Sequence, residues 1–156
     1  DQLGEILLLQ LPKKYWHELL KQRFQSSVPD VAHRIRFIPW FERKDFFHLL
    51  QAVEVVLDPL FVGLGTTAYQ IFATGTPIVT YPGTFLRSRF VYAAYKAMGI
   101  TKGIATSEEE YVKIACKIAT NLEYRTKLQS EILANHHVLF DNNQGTQEFA
   151  EFLKNL

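Results

Sequence analysis

The 156 residues predict an α/β protein, a Rossmann-like doubly wound parallel sheet with helices on both faces and further helices at the carboxyl end. Three features carry this expectation. The strand candidates are apolar throughout rather than alternating, as in strands covered on both sides. Segments of helical periodicity separate them, and parallel neighbours require such crossovers. Proline, glycine or serine punctuates nearly every junction.

The first strand is the apolar run from Ile6 to Leu9. After Pro12, Trp16, Leu19, Leu20 and Phe24 recur at helical spacing until "SSVPD" stops them. "RIRFIP", residues 34–39, is a second strand closed by Pro39, and Phe46, Leu49 and Leu50 line a short helix. "VEVVLD", residues 53–58, is the third strand, residues 67–74 the next helix, and "TPIVTYP", residues 76–82, the fourth strand. Phe90, Val91, Ala94, Tyr95 and Met98 form one face of a helix that ends at Gly99, and "GIA", residues 103–105, reads as a short fifth strand. Ser107 followed by three glutamates is a helix start, with Tyr111, Ala115 and Ile118 on its core face. Two helices follow, the last marked by Phe149, Phe152, Leu153 and Leu156. With no repeat, low-complexity tract or linker, residues 1–156 read as a single domain.

Composition narrows the function classes. Seventeen basic residues face sixteen acidic ones, and no long run of one sign occurs, so neither nucleic acid nor a membrane surface is expected as a partner. No stretch approaches the roughly 18 apolar residues of a membrane span, and no signal peptide is visible. Cys116 is the single cysteine and lies in an apolar helical stretch, where it reads as a core thiol. Disulfides are thereby excluded, and a cytoplasmic location is expected. A strand candidate so close to the amino terminus suggests a piece of a larger protein.

The chemistry concentrates in "LDPLFVGLGTT", residues 57–67. This stretch follows the third strand, where ligands of open α/β sheets bind. Gly63 and Gly65 lack a Cβ, so a ligand can approach the main chain and a positive φ is accessible. Thr66 and Thr67 open a helix whose first amides are unpaired and whose dipole end is positive, which favours a phosphate or pyrophosphate. The plain structural alternative is a tight turn capped by Thr66. No Walker A motif is present. "GLGTTA" satisfies the dinucleotide pattern, yet the acidic residue expected about 20 positions on is absent. Arg87 and Arg89 stand there instead and suit a 2′-phosphate, which keeps an NADP reading open.

The run from Arg34 to Arg89 resembles the carboxyl-terminal catalytic half of the bacterial SPINDLY and O-linked N-acetylglucosamine transferase family, glycosyltransferases of the GT-B fold. Asp58, Pro59, Gly63, Gly65, Thr67, Gly75, Thr76, Pro77, Thr80, Pro82, Gly83 and Arg89 carry the likeness, which covers most of residues 5–133. The resemblance implies one Rossmann-like half of a GT-B enzyme whose substrate is a nucleotide sugar, UDP-N-acetylglucosamine by family precedent, with GDP sugars in the same group. It implies donor phosphates at Gly63, Gly65, Thr66 and Thr67, a positive side chain at Arg43 or Lys44, and nucleoside contacts at Phe41 and Gln70. It also implies no cofactor or metal, a protein Ser/Thr acceptor, and a general base in an amino-terminal half that these residues do not include, with helical repeats upstream. Two departures stand out. Relatives usually carry Asp or Glu where Gln70 stands, and a neutral partner to ribose binds more weakly by about 1 kcal/mol. Many also carry His or Asn in the turn, where this chain has Phe61, Val62 and Leu64.

These departures support a rival reading, a domain that no longer binds donor and docks a partner through "PWF", residues 39–41. His136 and His137 are neighbours, about 100° apart on a helix, and read as surface or capping groups rather than metal ligands.

Overall fold

The computed structural model describes residues 4–10, 13–140 and 143–155, which form two compact units, 1–46 and 47–156. Pro12 and Leu156, singled out above, lie outside the described residues.

The first unit is one parallel crossover. Strand β1 (Ile6–Leu9) pairs with β2 (Ile35–Ile38), Ile6 opposite Ile35 and Leu9 opposite Ile38, and α1 (Lys14–Ser27) connects them. Arg34 Nε donates to the Gly4 carbonyl at 2.8 Å across the start of the pair. The inward face of α1 is His17, Leu20 and Phe24, at spacings of three and four. The His17 and Phe24 rings lie 4.4 and 6.4 Å from that of Phe37 on β2. Trp16, expected on the core face, is 52% exposed, because it precedes that stripe by one position. Ile6 and Leu7 are also exposed where a buried strand was expected, since β1 has one strand neighbour in its unit.

Helix α2 (Arg43–Ala52) leads into the second unit, where β3 (Val56–Leu57) and β4 (Ile78–Val79) pair in parallel across α3 (Thr66–Ala73). Both strands are shorter than the apolar runs that encode them, although the ladder continues beyond their ends. Asp58 N–H donates to the Val79 carbonyl at 3.0 Å. "GIA" is indeed the next parallel neighbour: Thr80 donates to Gly103 at 2.9 Å and accepts from Ala105 at 2.8 Å. Helices α4 (Phe90–Ala97), α5 (Glu108–Thr120), α6 (Leu122–Asn135) and α7 (Asn143–Lys154) complete the unit. The class is therefore α/β with parallel strands, as the sequence predicts.

The core of this unit gathers Ile71 and Phe72 of α3, Ile78 and Val79 of β4, Val91 and Tyr95 of α4, Ile118 of α5 and Leu128 and Ile132 of α6, all essentially without solvent contact. Each such side chain contributes roughly 1.5–3 kcal/mol by leaving water. Tyr95 meets Phe72 edge-on at 4.9 Å, and its hydroxyl donates to the Ile78 carbonyl at 2.7 Å and accepts from the Ile78 amide at 3.0 Å. A side chain thus satisfies both polar groups of a buried strand residue, the accounting that burial demands.

Helix ends follow their local chemistry. Gly99, with φ +70°, closes α4: its amide donates to Lys96, and that of Ile100 to Tyr95, the two bonds of a Schellman motif. Ser107 caps α5 by accepting from the Glu110 amide at 3.1 Å. Helix α7 forms where expected, but Phe149, Phe152 and Leu153 remain 62, 58 and 52% exposed, so its apolar stripe is not part of this core. Cys116 lies half-buried on α5 rather than inside the core.

Candidate functional site

The loop between β3 and α3 is organised by a buried carboxylate. Asp58 is 2% exposed; its Oδ1 accepts from the Leu64 amide at 2.7 Å and its Oδ2 from the Thr80 hydroxyl at 2.6 Å. Burial pushes its carboxyl above the usual range, while the bonds from Thr80 and Leu64 oppose that shift. The Tyr111 hydroxyl of α5 donates to the Asp58 carbonyl at 3.0 Å, and burial raises that phenol as well.

Gly63 and Gly65 are glycines for different reasons. A Cβ on Gly63 would lie 2.9 Å from Asp58 Oδ1, so the carboxylate needs that space, whereas a Cβ on Gly65 would meet nothing within 4 Å. Neither has a positive φ, in contrast to the freedom read into them above; at Gly63 it is close approach, not handedness, that selects glycine. Gly65 is also the helix cap, and no side chain bonds the first turn of α3, so Thr66 is a helical residue and not the cap.

The amides divide accordingly. Gly63 donates to the Arg87 carbonyl at 2.8 Å, Leu64 to Asp58, and Ala68 to Gly65 at 2.9 Å. Between them, the amides of Gly65, Thr66 and Thr67 have no acceptor among the described residues. Gly65 and Thr66 are exposed and Thr67 half-buried. Three free N–H groups at the positive end of a helix can hold an anion. Gln70, half-buried, stands one turn along α3, so it shares a side with Thr66 and Thr67.

The second loop, after β4, meets the first. Arg87 Nε donates to the Phe61 carbonyl at 3.1 Å and its guanidinium sits 4.5 Å over the Phe85 ring. Arg89 donates to the Gly83 carbonyl at 2.7 Å and lies over Tyr92. Both arginines considered for a 2′-phosphate are thus engaged by their own chain. Phe61, Val62, Phe85 and Leu86 are all exposed around this junction.

Comparison with known proteins decides the family. The model of glycosyl transferase family 41 matches residues 5–149. The chain belongs to glycosyl transferase family 41. Among curated relatives, the UDP-N-acetylglucosamine--peptide N-acetylglucosaminyltransferase of Caenorhabditis elegans is 30% identical over 105 residues, 66% of this chain and 9% of that protein. The probable SPINDLY transferase of Petunia hybrida is 25% identical over 142 residues, 86% of this chain and 15% of that one. A mutant of the Thermobaculum terrenum O-GlcNAc transferase is similar in structure at a TM-score of 0.74 and 19% identity, across 91% of this chain and 28% of that one. That last likeness is one of fold. The family 41 chain described here therefore spans a small part of the relatives it matches.

Within the family 41 frame, the predicted positions fall into two groups. Gly63, Gly65, Thr66, Thr67 and Gln70 come together at the start of α3. Phe41 is half-buried in the segment before α2, and Arg43 and Lys44 are the exposed first residues of that helix, in the other unit. His136 begins a 3-10 turn and its Nδ1 pairs with the Leu133 carbonyl at 2.8 Å. Among the described residues no group of three or more His, Cys, Asp or Glu could hold a metal ion, and no helix is long and apolar enough to cross a membrane. The clamping roles of Asp58, Thr80 and Tyr111 and the Arg87 link were missed in the sequence. The available signal was an acid at the end of an apolar strand run, six residues before an amide it could reach.

Proposed function

We propose that this chain is the nucleotide-sugar binding part of a glycosyltransferase that transfers N-acetylglucosamine to protein Ser or Thr hydroxyls. Family 41 membership supports the reaction class, and the names of the relatives supply the donor and the peptide acceptor. The observation that carries the donor site is the open Gly65, whose amide and those of Thr66 and Thr67 are unpaired at the start of α3. The ligand is a nucleoside diphosphate sugar, with its diphosphate on Gly65, Thr66 and Thr67 and Gly63 shaping the turn. Gln70 accepts from the ribose. No cofactor or metal is required, and the setting is the cytoplasm.

The chemistry follows from where charge develops. As the acceptor hydroxyl attacks the sugar C1, the bond to the β-phosphate breaks and negative charge grows on the departing diphosphate. Fixed amides aimed at that charge stabilise the transition state more than the ground state, and one such donor is worth about 3 kcal/mol in other enzymes. The general base and acceptor contacts belong to an amino-terminal half of the full enzyme.

Gly65→Ala tests the reading, because the added methyl meets no protein atom and yet covers the bare backbone. Calorimetry should show UDP binding to the parent and about a tenfold loss in the variant, near 1.4 kcal/mol, while the loss of the glycine cap lowers stability by no more than about 1 kcal/mol. Equal affinity in the two chains places the diphosphate elsewhere. A second reading, a docking domain without donor, is favoured by Trp40, which is 70% exposed. Flat titrations with UDP, GDP and NADP would leave that reading standing.

A further inference from the structure

The mechanism uses the free amides of the turn and leaves unexplained why a carboxylate is buried against the neighbouring Leu64 amide. We propose that Asp58 is a positioning residue, which decides through Leu64 and Thr80 which amides of the glycine turn face the donor. The inference rests on the donor-binding reading above and deepens it.

An acid near a diphosphate is electrostatically adverse, and burying it is adverse again. Its placement makes sense as geometry. One oxygen holds the Leu64 amide at 2.7 Å and turns that N–H inward, away from any ligand. The other oxygen is fixed by the Thr80 hydroxyl at 2.6 Å, and Thr80 is locked into the sheet by its own amide and carbonyl. The Asp58 main chain is held from both sides, by β4 through Val79 and by the Tyr111 hydroxyl. Gly63 lies against the carboxylate and has room for no side chain. The turn is therefore pinned to the sheet at Leu64, and Gly65, Thr66 and Thr67 are the next amides left to a ligand. Asp58 touches no donor atom in this arrangement; it acts through the loop.

The test combines exchange and binding on the 156-residue chain. In the parent, the Leu64 amide should exchange at least about tenfold more slowly than that of Gly65. Asp58→Ala should abolish this difference. Thr80→Val, which keeps the shape and replaces the hydroxyl by a methyl, should bring the two rates within about threefold of each other. It should also weaken UDP about tenfold while uridine, which has no phosphate, binds as before. Thr80→Ser should restore both readouts. Equal exchange of Leu64 and Gly65 in the parent overturns the proposal, as does a Thr80→Val chain with parental exchange and UDP affinity. A parent that ignores UDP overturns the donor reading instead, and the exchange rates alone then decide the clamp.

Discussion

Asp58 carries a pH signature of its own. Burial holds its carboxyl above the ordinary range, so the folded chain binds that proton more tightly than the unfolded chain does. Its ionisation then removes stability as pH rises from about 4 towards the raised value, the reverse of an exposed ion-paired acid. In Asp58→Asn that loss is absent. The urea midpoint of the variant relative to the parent is expected to shift in the variant's favour between about pH 4 and pH 7. A flat or opposite trend would place the carboxyl at or below its ordinary range. Gly103 is a second residue with a sharp expectation. A Cβ there would sit 2.6 Å from both the Ile78 carbonyl and the Tyr95 ring, so Gly103→Ala should destabilise by about 1–3 kcal/mol, read from the denaturant midpoint.

At the scale of elements, single side chains hold helices to strands. The Tyr95 hydroxyl links α4 to β4 by two bonds at the buried Ile78. Tyr95→Phe leaves both main-chain groups without that partner and should destabilise by about 1–3 kcal/mol, with the m-value unchanged. The cap of α5 is a milder case: Ser107→Ala should cost about 1 kcal/mol in thermal or urea unfolding, since the Glu110 amide loses its acceptor. Helix α7 illustrates what periodicity does not reveal. Its stripe of Phe149, Phe152 and Leu153 predicts the helix correctly, but a stripe does not say what lies against it, and here those residues are exposed. Trp16 fails for a related reason, since a stripe reading one position wide of the true face puts a large ring in solvent.

For the whole molecule, binding and transfer are separable. The chain covers 9% of its Caenorhabditis elegans relative, and the general base is placed outside it by the proposed mechanism. These 156 residues are expected to bind UDP and to show no transfer of N-acetylglucosamine to a peptide in a radiolabel assay. Transfer by this chain alone would relocate the base within it.

The order of strands and helices, the parallel class and the position of the glycine turn were legible in the sequence, because each rests on local chemistry: apolar runs, helical spacing, and glycines before a threonine pair. The motif from Asp58 to Arg89 was legible too, since its short pieces occur in one order. Which amides stay free, and why Gly63 differs from Gly65, was decided only by the tertiary structure. Asp58, Leu64 and Thr80 are brought within hydrogen-bond reach by strand register, which joins residues 22 apart in the chain. Local sequence sets what each segment prefers to be, while long-range pairing sets which polar groups are already satisfied and which remain for a ligand.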